Sequence, residues 1–217
     1  MENVLDIDTA KPDPARPLVC FDEFSKQLLS EIAAPIAPHP GTKDSPGQPI
    51  RRDAEYVREG SASAFMIAMP HLGRREVFIG KDARRTALDY ADAVAFLCDE
   101  VFPDAEKITL VQDNLNTHDV ASLYKRFEPA KARRLAAKID IHYTPKHGSW
   151  LNMAEIEIAL LSRSALHKRI PSVQEFRNIV AANVERRNKT PHPINWQFTS
   201  SDARIKLKRF YPDLPPI

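Results

Sequence analysis

The sequence predicts an α/β fold, a mixed sheet with helices packed against its faces. Three observations predict it. Short apolar runs rich in β-branched and aromatic residues recur along the chain, among them LVCF, SASAFMIAMP, REVFI, ITLV and IDIHY. Between the later runs lie stretches whose apolar residues return at three- and four-residue steps. The order is a strand, a meander of strands, a helix, a strand, helices, a strand and helices, which suits a sheet covered on its faces.

A chain of 217 residues is long enough to bury one good core, or a core with an appendage. With 28% charged and 43% apolar residues, the composition is that of an ordinary globular protein rather than a disordered one. No apolar run approaches the length of a membrane span. The opening MENVLDIDTAKPDP has neither a basic region nor an apolar core, so no signal peptide is expected there. Only Cys20 and Cys98 are present, both in apolar surroundings. They read as reduced core residues of a cytoplasmic protein.

Taken in order, residues 1–17 read as a linker, with Pro12, Pro14 and Pro17 and no sustained periodicity. Leu18 to Phe21 is a buried strand that meets Asp22 and Glu23; alternation puts Leu18, Cys20 and Asp22 on one face. The competing reading is that Asp22 caps the following FSKQLLSEI segment. Residues 35–49, with five prolines and two glycines, form an irregular loop. RRDAEYVREG, SASAFMIAMP and GRREVFIGK read as a three-strand antiparallel meander. Arg84 to Val101 is helical, with Ala87, Tyr90, Ala91, Val94, Leu97 and Cys98 on its apolar stripe. Lys107 to Gln112 is a strand apolar on both faces. Val120–Phe127 and Pro129–Ala137 are short helices, the second opened by proline. Ile139–Tyr143 is a strand, Trp150–His167 and Val173–Arg187 are helices, and Ser172 with Glu175 has capping-box spacing. A basic tail follows Asn195.

Charge is unevenly spread. Residues 131–217 hold 16 Lys and Arg against 7 Asp and Glu, whereas residues 1–130 hold 15 against 22. A basic half beside an acidic half suits an anionic partner, although solvated charged faces would look the same.

The chemistry gathers between Lys107 and Leu161. Asp113 follows one apolar strand, and a Pro/Gly loop leads from the next strand into a helix bearing Glu155 and Glu157. Asp22 is a third carboxylate at the end of an earlier strand. Three carboxylates brought to one end of a sheet would hold Mg²⁺ for phosphodiester chemistry, with two ions activating the attacking oxygen and stabilising the leaving one. Each acid has a structural alternative. Asp113-Asn114 is a common turn, and Asn152 with Glu155 resembles a capping box. Helical geometry does not choose between Glu155 and Glu157, which flank opposite edges of the stripe formed by Leu151, Ala154, Ile158, Leu161 and Ala165. His118, His142 and His147 have no nearby cysteine and no zinc-site spacing. No phosphate-binding glycine loop or nucleophile elbow is present.

The segments CFDEFSKQL, EYVREGSASAFM, LVQDNLNTH, LYKRFEPAKARRLA, IHYTPKHGSWLNMAEIEI and FTSSDARIKLKRFYP resemble the DDE transposases of the mariner-like superfamily, nearest to the bacterial insertion sequence 630 family. The resemblance runs from about Pro17 to Pro212. It implies a ribonuclease H-like catalytic core over residues 18–212, with a tail at 213–217, in which the first and fourth strands lie side by side. It places the catalytic, metal-binding acids on Asp22, Asp113 and Glu155, and leaves Glu157 supporting. It implies Mg²⁺, replaceable by Mn²⁺, with two ions in the site, and DNA as partner. The substrates are transposon ends and target DNA, with two copies of the chain in the DNA complex. Water attacks a phosphodiester, and the freed 3′-hydroxyl then attacks the target.

On this resemblance Lys146 contacts phosphate, Trp150 packs near the DNA end or the loop, with core packing as the competing reading, and Asn114 and Asn152 position waters or acids. His118 and His147 stand on the same loops. Seventeen residues before the first strand are too few for the helix-turn-helix reader of such proteins, so the expectation is a catalytic domain alone. The alternatives are a catalytically silent remnant that binds DNA or dimerises, disfavoured by three intact acids, and a nuclease of the same fold, disfavoured by the PKHGSWLN segment.

Overall fold

The computed structural model describes residues 1–115, 118–146 and 148–211. Five strands form one sheet: β1 (Leu18–Glu31), β2 (Tyr56–Met69), β3 (Arg74–Phe78), β4 (Ile108–Gln112) and β5 (Ile139–Tyr143). Their spatial order is β3-β2-β1-β4-β5. β1, β2 and β3 pair antiparallel, whereas β4 is parallel to β1 and β5 is parallel to β4. The first and fourth strands are therefore neighbours, the ribonuclease H-like arrangement.

Among the described residues seven α-helices accompany the sheet: α1 (Glu2–Asp8), α2 (Ala87–Phe96), α3 (Ala121–Arg126), α4 (Pro129–Lys138), α5 (Ala154–Ser164), α6 (Val173–Asn188) and α7 (Ser200–Lys206). Side-chain alternation on the strands gives each sheet face its own core. Leu18, Cys20, Phe24 and Leu28 of β1 join Ala62, Ala64 and Met66 of β2 under α1, α5, α6 and α7. Val19 and Phe21 join Phe65, Ile67, Ile108 and Leu110 under α2, α3 and α4. Burial of these side chains on both faces is what drives the three-layer packing. α2 starts at a reciprocal capping box between Thr86 and Asp89, and α7 at one between Thr199 and Asp202. Proline at the first turn opens α4, and the Ser172 hydroxyl accepts the Glu175 amide at the start of α6.

Four local expectations are corrected. Residues 1–17 contain α1 rather than only a linker; Val4 and Leu5 enter the core, Glu2 pairs with Arg204, and the Asn3 side chain meets His142 at 2.9 Å. β1 does not stop at Asp22 but continues to Glu31, because its even-numbered residues keep facing the core while β2 pairs along its length. The acid therefore lies within a strand and caps nothing. The expected three-strand meander is two strands, since Gly60, at φ +106°, sits opposite Leu28 beside a register shift between Leu28 and Leu29 instead of making a turn. The helix expected from Trp150 is a 3₁₀ turn (Ser149–Leu151), a break at Asn152, and then α5.

The proline-rich loop is more ordered than expected: antiparallel bridges Ile36–Arg51, His39–Gln48 and Thr42–Ser45 run up it. Arg169 ties its base by donating to the carbonyls of Asp53 and Glu55. Gly73, at φ +62°, lets the chain at His192 and Pro193 pass so closely that a Cβ would lie 2.3 Å from the His192 carbonyl carbon.

Candidate active site

β1 and β4 pair in parallel at Leu18–Thr109, Val19–Leu110 and Cys20–Val111. Two residues past the last pair come Asp22 and Asp113. With a side-chain period of two, both inherit the face of Cys20 and Val111, so the register sets the two carboxylates abreast. The same face carries α5, whose first turn holds Glu155.

Asp22 is the buried member, with 7% of its surface exposed. Its Oδ1 accepts the Glu23 amide at 2.8 Å and its Oδ2 accepts Asn152 Nδ2 at 3.2 Å. Asn152 is itself buried and fully engaged. Its Nδ2 also donates to the Phe21 carbonyl at 2.8 Å, and its Oδ1 accepts the Ala154 amide at 3.1 Å. One side chain thus ties β1 to the start of α5. Burial pushes the Asp22 carboxyl up to about 7; the Glu23 amide works against this, while the negative charges of Glu155 and Asp113 reinforce it. Glu155 and Asp113 therefore both lie near enough to act on Asp22 at the end of the sheet.

Glu155 is exposed, and among the described residues its side chain makes no hydrogen bond or ion pair. The capping box is not formed: α5 has no side-chain cap, and only the backbone amide of Glu155 reaches the Asn152 carbonyl. Glu157 faces the other way. It is buried and pairs with Arg75 (Nε to Oε2, 3.0 Å) and with Arg187. Arg75 also donates to the Gly73 carbonyl and to Asn188 Oδ1. Glu157 thereby anchors α5 to β3 and α6, leaving Glu155 free at the carboxylate cluster.

His118, expected on a loop beside the acids, is buried against them. Its Nδ1 lies 2.6 Å from Asp113 Oδ1, and its Nε2 lies 3.5 Å from Glu23 Oε2. Arg85 pairs with the other Glu23 oxygen at 2.5 Å. Burial works to discharge the imidazole, but the Asp113 and Glu23 carboxylates outweigh it and hold its pKa up at about 9. The ring stacks on Tyr90 at 4.9 Å and meets Phe21 edge-on at 6.0 Å. Sequence reasoning gave Glu23, Arg85 and Gln112 no role in this surround; their placement depends on pairing distant in sequence.

Lys146 is exposed, as a phosphate contact requires. Trp150 is 48% exposed with its ring 6.2 Å from Phe198, so it is not a core residue. Asn114 is exposed. His147, Pro212 and the tail at 213–217 lie outside the described residues. His142 meets Asn3 and Asp140.

Among the described residues no group of three or more acids, histidines or cysteines is gathered closely enough to form a finished metal cluster. The donor chemistry nonetheless fits a hard divalent cation: three carboxylates share one end of the sheet, and neither Asp22 nor Glu155 has a Lys or Arg ion partner among the described residues. A cation of that kind would offset the burial that chiefly lifts Asp22 and the repulsion from Glu155 and Asp113 that adds to it. Among the described residues no helix is long and apolar enough to cross a membrane. Both cysteines are buried free thiols, with Cys98 pushed up to about 12 by burial.

The family model described as DDE superfamily endonuclease matches residues 17–177, and the chain belongs to that family. None of the curated proteins matches it significantly. A solved structure, described as the crystal structure of the Mos1 strand transfer complex, is 12% identical at a TM-score of 0.31, over 87% of this chain and 58% of that one. The chain thus spans less than two thirds of that protein's length.

Proposed function

We propose that this DDE superfamily endonuclease is a transposase catalytic domain of the insertion sequence 630 type, in which Asp22, Asp113 and Glu155 bind Mg²⁺ or Mn²⁺ and support DNA cleavage and strand transfer. Its partners are transposon ends and target DNA, engaged by two copies of the chain, and its setting is the cytoplasm. The observation that carries the reading is the shared register of Asp22 and Asp113 past the last β1–β4 pair, with Glu155 close enough to raise Asp22.

A bound pair of ions would activate the attacking oxygen and stabilise the leaving one. The chain's own residues do the rest. Asp22, pinned through Asn152 and the Glu23 amide, is a fixed ligand between β1 and α5. Asp113 offers Oδ2 while Oδ1 is held by His118. Glu155, exposed on α5, has the freedom to adjust to substrate. Lys146 stands ready for a phosphate, and the half-exposed Trp150 offers a flat face to the nucleic acid.

Nicking of supercoiled plasmid with Mg²⁺ or Mn²⁺ tests the proposal against Asp113→Asn and Glu155→Gln. Metal-dependent nicking that disappears in both variants supports it. Nicking that persists in either variant places the chemistry elsewhere.

A further inference from the structure

The buried His118, in the segment between β4 and α3, has an environment that packing alone does not require. Its backbone carbonyl accepts Gln112 Nε2 at 2.9 Å, and Gln112 Oε1 accepts the Tyr90 hydroxyl at 2.9 Å. Gln112 is wholly buried, the last residue of β4 and the immediate neighbour of Asp113. The His118 ring then stacks on the same Tyr90 at an interplanar angle of 21°. Backbone and ring are therefore fixed by one closed set of contacts, Tyr90–Gln112–His118. The ring's two nitrogens point at two acids: Nδ1 at Asp113 Oδ1, 2.6 Å away, and Nε2 at Glu23 Oε2, 3.5 Å away. Among the described residues neither His118 Nε2 nor Glu23 Oε2 has a hydrogen-bond partner. Glu23 sits on the opposite face of β1 from Asp22, so the imidazole reaches across the end of the sheet.

We infer that His118 is a positioning residue for the metal site: through Nδ1 it fixes the Asp113 carboxylate so that Oδ2 faces the position shared with Asp22 and Glu155. The inference rests on the proposed function of those acids. Without such a hold, an Asp on the loop after β4 would sample several rotamers, and ion binding would have to order it. Partners that orient a ligand in this way are typically worth about 10–100-fold in metal affinity.

Substitution of His118 by asparagine or glutamine separates orientation from packing. Asparagine places an amide near the position of Nδ1, and glutamine places one near Nε2, with similar bulk. Mn²⁺ binding is measured by calorimetry on the whole chain, beside the melting temperature of each protein. The expected result is that His118→Asn stays within about 3-fold of wild type, while His118→Gln and His118→Ala bind about 10–100-fold more weakly. Equal Mn²⁺ affinity in the asparagine and glutamine variants overturns the inference, whatever their melting temperatures.

A second measurement needs no substitution. The His118 imidazole ¹⁵N resonance of Nδ1 should shift on titration of wild type with Mg²⁺, because Asp113 then shares its electrons with the ion; an unmoved resonance in a Mg²⁺-bound protein overturns the inference. If wild type binds neither Mn²⁺ nor Mg²⁺, the reading of the three acids fails first and takes this inference with it. If wild type binds and Asp113→Asn does not, while His118→Gln binds like wild type, only this inference falls.

Discussion

Replacing Asp22 with asparagine should stabilise the fold at neutral pH. Asp22 is 93% buried and its carboxyl is raised from 3.8 to about 7. That is roughly three units, and each unit corresponds to 1.36 kcal/mol, so keeping Asp22 ionised in the fold costs up to about 4 kcal/mol above pH 7. The sign follows from proton uptake. Between pH 4 and 7 the folded protein holds a proton that the unfolded chain releases, so this group's contribution to stability falls as pH rises through that window and is at its worst above 7. Below pH 4 both states are protonated and the penalty is absent.

Asparagine removes the charge, but its single carbonyl oxygen cannot serve both the Glu23 amide and Asn152 Nδ2. One hydrogen bond is lost, at about 1 kcal/mol. The net gain at pH 8 is therefore about 2–3 kcal/mol, or about 5–10 °C in melting temperature for a chain of this size. At pH 4 the variant should be equal to wild type or slightly less stable. Thermal unfolding of both proteins from pH 4 to 8.5 gives the difference curve. A difference that does not change with pH refutes the reasoning, because it would mean that Asp22 carries no burial penalty. Added Mg²⁺ should stabilise wild type and narrow the gap.

Other outcomes follow from the same contacts. Glu157→Ala removes the carboxylate partner of the buried Arg75 guanidinium and should cost about 3–5 kcal/mol in chemical denaturation, whereas Glu155→Gln, on an exposed side chain with no ion pair among the described residues, should change stability by no more than about 0.5 kcal/mol. Asp8 is buried with neither carboxylate oxygen hydrogen-bonded among the described residues, and burial pushes it up to about 7; Asp8→Asn should raise the melting temperature above pH 7, lose that advantage by pH 4, and leave nicking intact. Lys146→Ala should weaken DNA binding and reduce the slope of log affinity against log salt by about one; an unchanged slope refutes its phosphate role.

Where local signals were strong, the chain was legible. Ile139–Tyr143 forms a strand with the expected bounds, and Pro129 opens a helix as expected. Strand order and register put Asp113 of the QDN segment beside Asp22, while Glu155 of the LNMAE segment reaches Asp22 from the first turn of α5. Pairing with distant segments governed what was missed. The run after Asp22 looks polar, yet Phe24 and Leu28 continue the even-numbered face of Leu18 and Cys20; that alternation was a usable signal for a longer β1. Gly60 reads as a turn in sequence but serves a bulge, because β1 runs alongside it. α1 lacks any cap signal and is held by Arg204, His142 and Ser200, all far along the chain. The choice between Glu155 and Glu157 came from resemblance; the physical difference is Arg75 and Arg187, which claim Glu157 from β3 and α6. His118 had no signal of burial at all, since the aromatic pocket around it is assembled from β1, β2 and α2.

The most direct test of the carboxylate site is an anomalous-scattering map from crystals of this chain grown with Mn²⁺. The account predicts a peak at the end of β1 and β4, within about 2.0–2.3 Å of oxygens of Asp22 and Asp113, with Glu155 drawn toward it or toward a second peak about 3.5–4 Å away. Crystals containing Mn²⁺ with no peak at these acids, or with a peak held by other residues, would contradict it.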